Sequence, residues 1–226
     1  MAKTGVHGAG MLCVPLFAIV YGGKLSSGLM LPLLVIADVM GVWYYHRHAS
    51  FAHLKILFPW AALGVIAGSW AGNYIPEDTF RVIMAITIFA SLIAMIWLEL
   101  GGKEKIPDSI YLGIAAGFLG GFTSMVGNLA GTVMVIYFLS MRLPKNVFIG
   151  TTAWFFLVVN WFKVPFHIWV WHTINIDGWI LALYLTPAIV LGAFLGIAFV
   201  KKMSENVYRW FIVAMTLVAA IVMLLK

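Results

Sequence analysis

The chain predicts an all-α, polytopic membrane protein built from two internal repeats. Three observations carry that expectation: an apolar composition, apolar runs of membrane-spanning length from end to end, and a sequence that aligns with itself. Hydrophobic residues make up 63% of the 226 and charged residues 10%, with a mean hydropathy of +1.02. Soluble domains keep their apolar share near half. Runs at about 26–45, 54–73, 79–98, 147–162, 178–200 and 207–225 can each cross a hydrocarbon core of about 30 Å as a helix. The longest polar linker, ELGGKEKIPDS at 99–109, is too short to fold alone, so residues 1–226 read as a single transmembrane domain.

The formal charge of +6 and the pI near 9.5 do not point to nucleic acid. The basic residues lie in short loops rather than on one face or in one run, and cytoplasmic loops of membrane proteins carry such an excess anyway. The lipid bilayer is the expected surrounding, with homo-oligomerisation left open. The single Cys13 excludes an internal disulfide framework and a thiolate metal cluster. No cleavable signal peptide is evident at the amino end, and a multi-pass location in the cell (inner) membrane is expected.

A shift of 128 aligns LFPWAALGVIAG (57–68) with LTPAIVLGAFLG (185–196), placing Pro59, Leu63, Gly64 and Gly68 on Pro187, Leu191, Gly192 and Gly196. The same shift sets Glu77, Phe80 and Arg81 on Glu205, Tyr208 and Arg209. Earlier positions align at a shift of 121, pairing Gly10 with Gly131, Lys24 with Lys145 and His46 with His167. An insertion of seven residues near WVWHTIN (169–175) separates the two shifts. Repeat one then covers about 1–98 and repeat two about 108–226. The leading segment 108–125 has no counterpart before residue 1, so the first repeat lacks its leading helix, and a start assigned too late is the expected reason.

Lys and Arg positions favour opposite orientations for the two copies. If residues 108–141 enter and leave on one side, the cytoplasmic side holds nine basic residues: Arg47, Lys55, Lys103, Lys105, Arg142, Lys145, Lys201, Lys202 and Arg209. The other side holds three, Lys24, Arg81 and Lys226. A same-orientation arrangement divides the loop positions, the terminal Lys226 aside, seven to four. Inverted repeats are a common architecture of secondary transporters.

The stretch FTSMVGNLAG (122–131) interrupts an apolar segment. As one helix, 110–141 would be roughly 48 Å long, well beyond the hydrocarbon thickness. A break at Gly127 and Asn128 gives two short pieces meeting at a polar tip inside the membrane. Backbone of that kind is tolerated only within protein or against a water-filled cavity. The piece starting near Asn128 presents free N–H groups and the positive end of its dipole, which together favour an anion. Ser124, Asn128 and Thr132 add donors, while Gly127 and Gly131 allow close backbone approach.

At the shift of 121 the first copy presents AKTGVHGAGMLCVP (2–15), with Lys3 facing Ser124 and His7 facing Asn128. Two such tips near the midplane would enclose a small anion, with Lys3, Thr4, His7, Gly8 and Gly10 contributing from the first and Lys3 supplying a full positive charge. The alternative is that these glycines only allow tight helix packing.

Three stretches resemble the sulfite exporter TauE/SafE family of membrane permeases: KTGVHGAGMLCVP, FTSMVGNLAG and RLPKNVFIGTTAWFFLVVNWFKVPF (142–166). They occur in the family's order, and the likeness covers nearly the whole chain. The resemblance implies a multi-pass inner-membrane permease for small anions, often sulfite, sulfonates or thiosulfate. The opening departs from the family's glycine density, with Ala9 between Gly8 and Gly10 and Met11 following.

Other polar residues interrupt the apolar runs. Asp38 is a candidate for carrying a coupling proton, or a structural partner of Lys3, His7 or nearby backbone. Asn160 and Lys163 fall close to Asp38 in the repeat alignment. Lys163 is read as attracting the anion, balancing Asp38, or reaching toward the headgroups. Thr151 and Thr152 are read as packing residues bonded to the preceding turn, with pore lining as the other role. His46, His48 and His53 lack the spacing of a metal pair and are placed in a basic interfacial loop. Trp169, Trp171 and Trp179 fit an aromatic belt. Glu77 with Arg81, and Glu205 with Arg209, have the spacing of surface ion pairs at helix starts.

The expected function is therefore a secondary transporter of a small anion, with no cofactor and no metal. No nucleotide-binding loop is visible. An enzyme is not expected, because no set of paired ligands or nucleophile beside a base emerges. A non-transporting membrane assembly or sensory partner is the alternative.

Overall fold

The computed structural model describes residues 23–76 and 109–204, with Phe17, Val20, Tyr21 and scattered positions over 78–100 and 206–218. Its helices are α1 (Gly23–Tyr45), α2 (Phe51–Tyr74), α3 (Ile110–Gly127), α4 (Ala130–Ser140), α5 (Lys145–Trp169) and α6 (Ile176–Lys201). No strand occurs among the described residues, and helical positions recur through 78–97 and 206–218. Five of the helical spans are long and apolar enough to cross a membrane: Lys24–His48, Phe51–Tyr74, Ile110–Gly127, Lys145–Trp169 and Gly178–Phe199. Large apolar side chains such as Trp43, Trp70, Tyr74 and Trp169 face outward, as they do on a protein solvated by lipid.

Local sequence explains where the helices start and stop. Ser109 caps α3 by accepting the Tyr111 N–H, and Asn175 Oδ1 accepts the Gly178 N–H at 2.9 Å to open α6. α4 ends in a Schellman turn: Arg142 takes a φ of 54°, its N–H meets the Leu139 carbonyl, and the Leu143 N–H meets that of Phe138. Pro144 then forces the chain out before α5 begins. Pro165 does not end α5, which runs on to Trp169; membrane helices tolerate proline where neighbours re-satisfy the freed carbonyl. The expected end at 162 is thus too early.

The contacts fix the direction of each helix. Gly113, Gly117 and Gly121 of α3 lie against Ile56, Leu57 and Ala61 of α2, and Gly64 and Gly68 of α2 against Phe118 and Met125 of α3, so the two helices run parallel. At Gly117 an added Cβ would stand 2.7 Å from the Leu57 carbonyl oxygen, and at Gly64 and Gly121 it would collide with the backbone of Phe118 and Ala61. These glycines let the backbones touch. α4 then doubles back along α3, setting Met134 on Gly120 and the Tyr137 hydroxyl near Gly113. The hairpin therefore enters and leaves at the same end of the molecule.

That end also gathers the close of α1, the starts of α2 and α5, and the close of α6. Gly150 abuts the Tyr45 carbonyl, the Ser50 N–H reaches Thr151 Oγ1, and Lys145 Nζ donates to the Met203 carbonyl. Lys201 lies over the Tyr44 ring. At the opposite end Gly28 of α1 meets Thr173 just beyond α5. The Trp171 indole N–H reaches the Ser69 carbonyl near the end of α2. So α1 and α5 are antiparallel, and so are α2 and α6.

Candidate functional site

The site forms where α3 stops. Asn128 sits in the left-handed region at φ 57°, which asparagine visits more readily than most residues bearing a Cβ. Its N–H still meets the Ser124 carbonyl at 3.0 Å, and the next N–H, of Leu129, turns back to Thr123 at 3.1 Å. The Thr123 and Ser124 carbonyls are thereby paired, and the break falls at the expected position. α4 starts at Ala130 with no side-chain cap, so its first-turn amides and the positive end of its dipole face the tip. Gly131 and Thr132 belong to that first turn.

α5 brings the charge. Lys163 is fully buried, and its Nζ donates to Asn128 Oδ1 at 2.6 Å and to the Ser124 carbonyl at 3.0 Å. The ammonium therefore points into the break and not toward the headgroups. With its oxygen committed to the lysine, the Asn128 amide nitrogen donates to the Ser27 carbonyl and Oγ at 3.1 and 3.3 Å. The Ser27 hydroxyl donates to the Met125 carbonyl at 3.4 Å. Three helices are thus joined through one asparagine. Ser124 takes part through its carbonyl.

One turn from Lys163 on α5, the Asn160 amide donates to Asp38 Oδ2 at 2.6 Å, and both residues are buried. A partner of Asp38 is thus Asn160, a contact that the sequence reading did not name. Two formal charges, Asp38 on α1 and Lys163 on α5, therefore lie inside the bundle, where membrane proteins keep such groups at substantial cost.

Thr151 and Thr152 hydrogen-bond to the carbonyls of Val147 and Phe148, one turn back. Thr151 also accepts the Ser50 N–H, which anchors the α1–α2 turn. His53 is part of α2 and bonds the Tyr137 hydroxyl at 2.9 Å, so it ties the hairpin to α2 in place of standing in an interfacial loop. Trp169 is exposed as an aromatic belt requires, but Trp171 packs on Gly72 and His167. Lys3, Thr4, His7, Gly8 and Gly10, and with them the first tip, lie outside the described residues, as does the side chain of Thr132.

A cavity of about 380 Å³ runs beside the hairpin, lined by Leu112, Ala116, Leu119, Val133 and Tyr137 among others. Its apolar walls suit lipid or hydrocarbon and not an anion. No group of His, Cys, Asp and Glu suited to a metal occurs among the described residues.

Sequence reasoning missed Ser27 and His167. Ser26-Ser27 in KLSSG was legible as a polar pair entering an apolar run, but nothing local links it to Asn128. In comparisons with known proteins, no curated protein and no solved structure gives a significant match. The family model described as Sulfite exporter TauE/SafE matches residues 3–223, and the chain belongs to that family.

Proposed function

We propose that this TauE/SafE member, a membrane permease by family, is a secondary transporter of a small sulfur-containing anion such as sulfite, a sulfonate or thiosulfate. The observation that carries the reading is the buried Lys163 ammonium at the α3–α4 break. A cation and an uncapped helix start converge there, and both favour negative charge. The lysine's bonds to Asn128 Oδ1 and the Ser124 carbonyl are to neutral oxygens, whose place an oxygen of an anion would take.

Alternating access around inverted repeats completes the proposal. Two facts support it: the aligned pairs α1 with α5 and α2 with α6 each run antiparallel, and the hairpin returns to the end it enters. Arg47, Lys55, Arg142, Lys145, Lys201 and Lys202 gather at that end, against Lys24 at the other, which supports an orientation with the basic end in the cytoplasm of a cell (inner) membrane. Lys3, Thr4, His7, Gly8 and Gly10 would form the facing tip, with Thr132 beside Gly131 on the near one.

The test is flux in proteoliposomes loaded with sulfite, thiosulfate, a sulfonate and, for contrast, a carboxylate. Wild-type protein should move at least one sulfur anion, and Asn128→Leu should abolish that flux while the protein remains monodisperse. Asn128→Gly separates backbone from amide, because glycine keeps the left-handed turn; it too should lose most of the flux. Full flux in both variants would take the break out of the anion's path.

A further inference from the structure

One turn beyond Lys163, on the same buried stripe of α5, lies His167, for which the site described above has no use. Its Nδ1 is 2.7 Å from Thr173 Oγ1, and its ring meets that of Trp171 edge-on with centroids 5.1 Å apart. Thr173 is wedged against Gly28 of α1, and Trp171 is held by its bond to the Ser69 carbonyl. Both neighbours that orient the imidazole are thus fixed. Yet Nε2 is buried with no hydrogen-bond partner among the described residues. A buried nitrogen left unmet carries its full desolvation penalty, and a purely apolar ring would avoid it.

Geometry indicates what Nε2 is for. With Nδ1 bonded to Thr173 Oγ1, Nε2 lies on the far side of the ring from that hydroxyl. When the hydroxyl donates, the ring hydrogen is on Nε2. Lys163 and His167, four apart and both buried, share one face of α5.

We infer that His167 is a second binding contact for the permeating anion, its Nε2–H donating to one oxygen of an oxyanion whose charge Lys163 balances. The inference rests on the site reading given above and adds a source of selectivity to it. Two separated donors engage an ion with several oxygens, such as sulfite or the head of a sulfonate. A halide offers one centre, and holding both donors requires them to converge on it.

Two substitutions separate this role from simple anchoring of the loop. Glutamine carries its amide nitrogen near the place of Nε2, and asparagine near that of Nδ1. With sulfite as substrate in proteoliposomes, His167→Asn should raise KM about tenfold, while His167→Gln should stay within about threefold of wild type. Chloride competition should strengthen in the asparagine variant. Retention by asparagine with loss by glutamine, or equal behaviour of the two, would overturn the inference. If His167→Asn does not fold, the wild-type chain labelled with 15N-histidine gives a second measurement. Saturating sulfite should then shift the Nε2 resonance assigned to His167, and an unmoved resonance would equally overturn it. Lys163→Met is the control: an unchanged KM there sinks the site reading itself, whereas a raised KM with no split between the histidine variants sinks only this inference.

Discussion

The shaft and the tip of the α3–α4 hairpin are held by opposite means. Along the shaft, Gly113, Gly117 and Gly121 press α3 onto α2 so closely that even a methyl group would not fit at Gly121. At the tip, contact is made by long or polar side chains, Lys163 to Asn128 and Asn128 to Ser27. The shaft is held by backbone contact and the tip by hydrogen bonds. On the proposed reading the tip's bonds give way to a solute, while the glycines of the shaft hold the tip in place.

Substitutions at the two places should fail differently, and the shaft should fail most completely. Gly121→Leu drives a side chain into the Ala61 backbone, where neither partner can yield, and overpacking of flexible cores alone costs about 1–3 kcal/mol. Loss of monodisperse protein on size exclusion is expected; a folded, active variant would show that α2 and α3 can separate. Lys163→Met should instead leave the helices packed at some cost in stability, because the Asn128 and Ser124 oxygens lose their donor. Sulfite flux should fall on the order of a hundredfold, equivalent to about 3 kcal/mol, with a lowered thermal midpoint but monodisperse protein.

Smaller effects sharpen the contrast. Asp38 accepts from an amide that does not titrate, so Asp38→Asn should cost some stability and leave the pH profile of flux unaltered. A flattened profile would make Asp38 the carrier of a coupled proton. Thr151→Val removes the acceptor of the Ser50 N–H and should lower stability by about 1 kcal/mol with flux retained. Reduced flux at unchanged stability would move Thr151 from the packing to the pathway.

How far the sequence foretold this arrangement depended on the range of the interaction. The break at Asn128 followed from length, since 110–141 overruns a membrane, and from glycine and asparagine at its centre. Asp38 was legible as an ionisable group inside an apolar run, but its contact with Asn160, 122 positions away, was not. Lys163 was harder. An apolar run taken to end at 162 makes it a terminal lysine, but α5 continues through Pro165 to Trp169 and carries the lysine inside. The partnership with Asn128 crosses 35 positions and has no local signature. Ser27 escaped for the same reason, its partners Met125 and Asn128 lying about 100 positions away.

The order of synthesis gives the buried lysine one more consequence. Asn128 leaves the ribosome 35 residues before Lys163, an interval of roughly 2 to 7 s at about 5–20 residues per second. For that time the hairpin's polar turn has no cationic companion and cannot settle among hydrocarbon chains. It must wait at the translocation channel or near the headgroups until α5 emerges, so its seating in the bilayer is a late, post-insertion event.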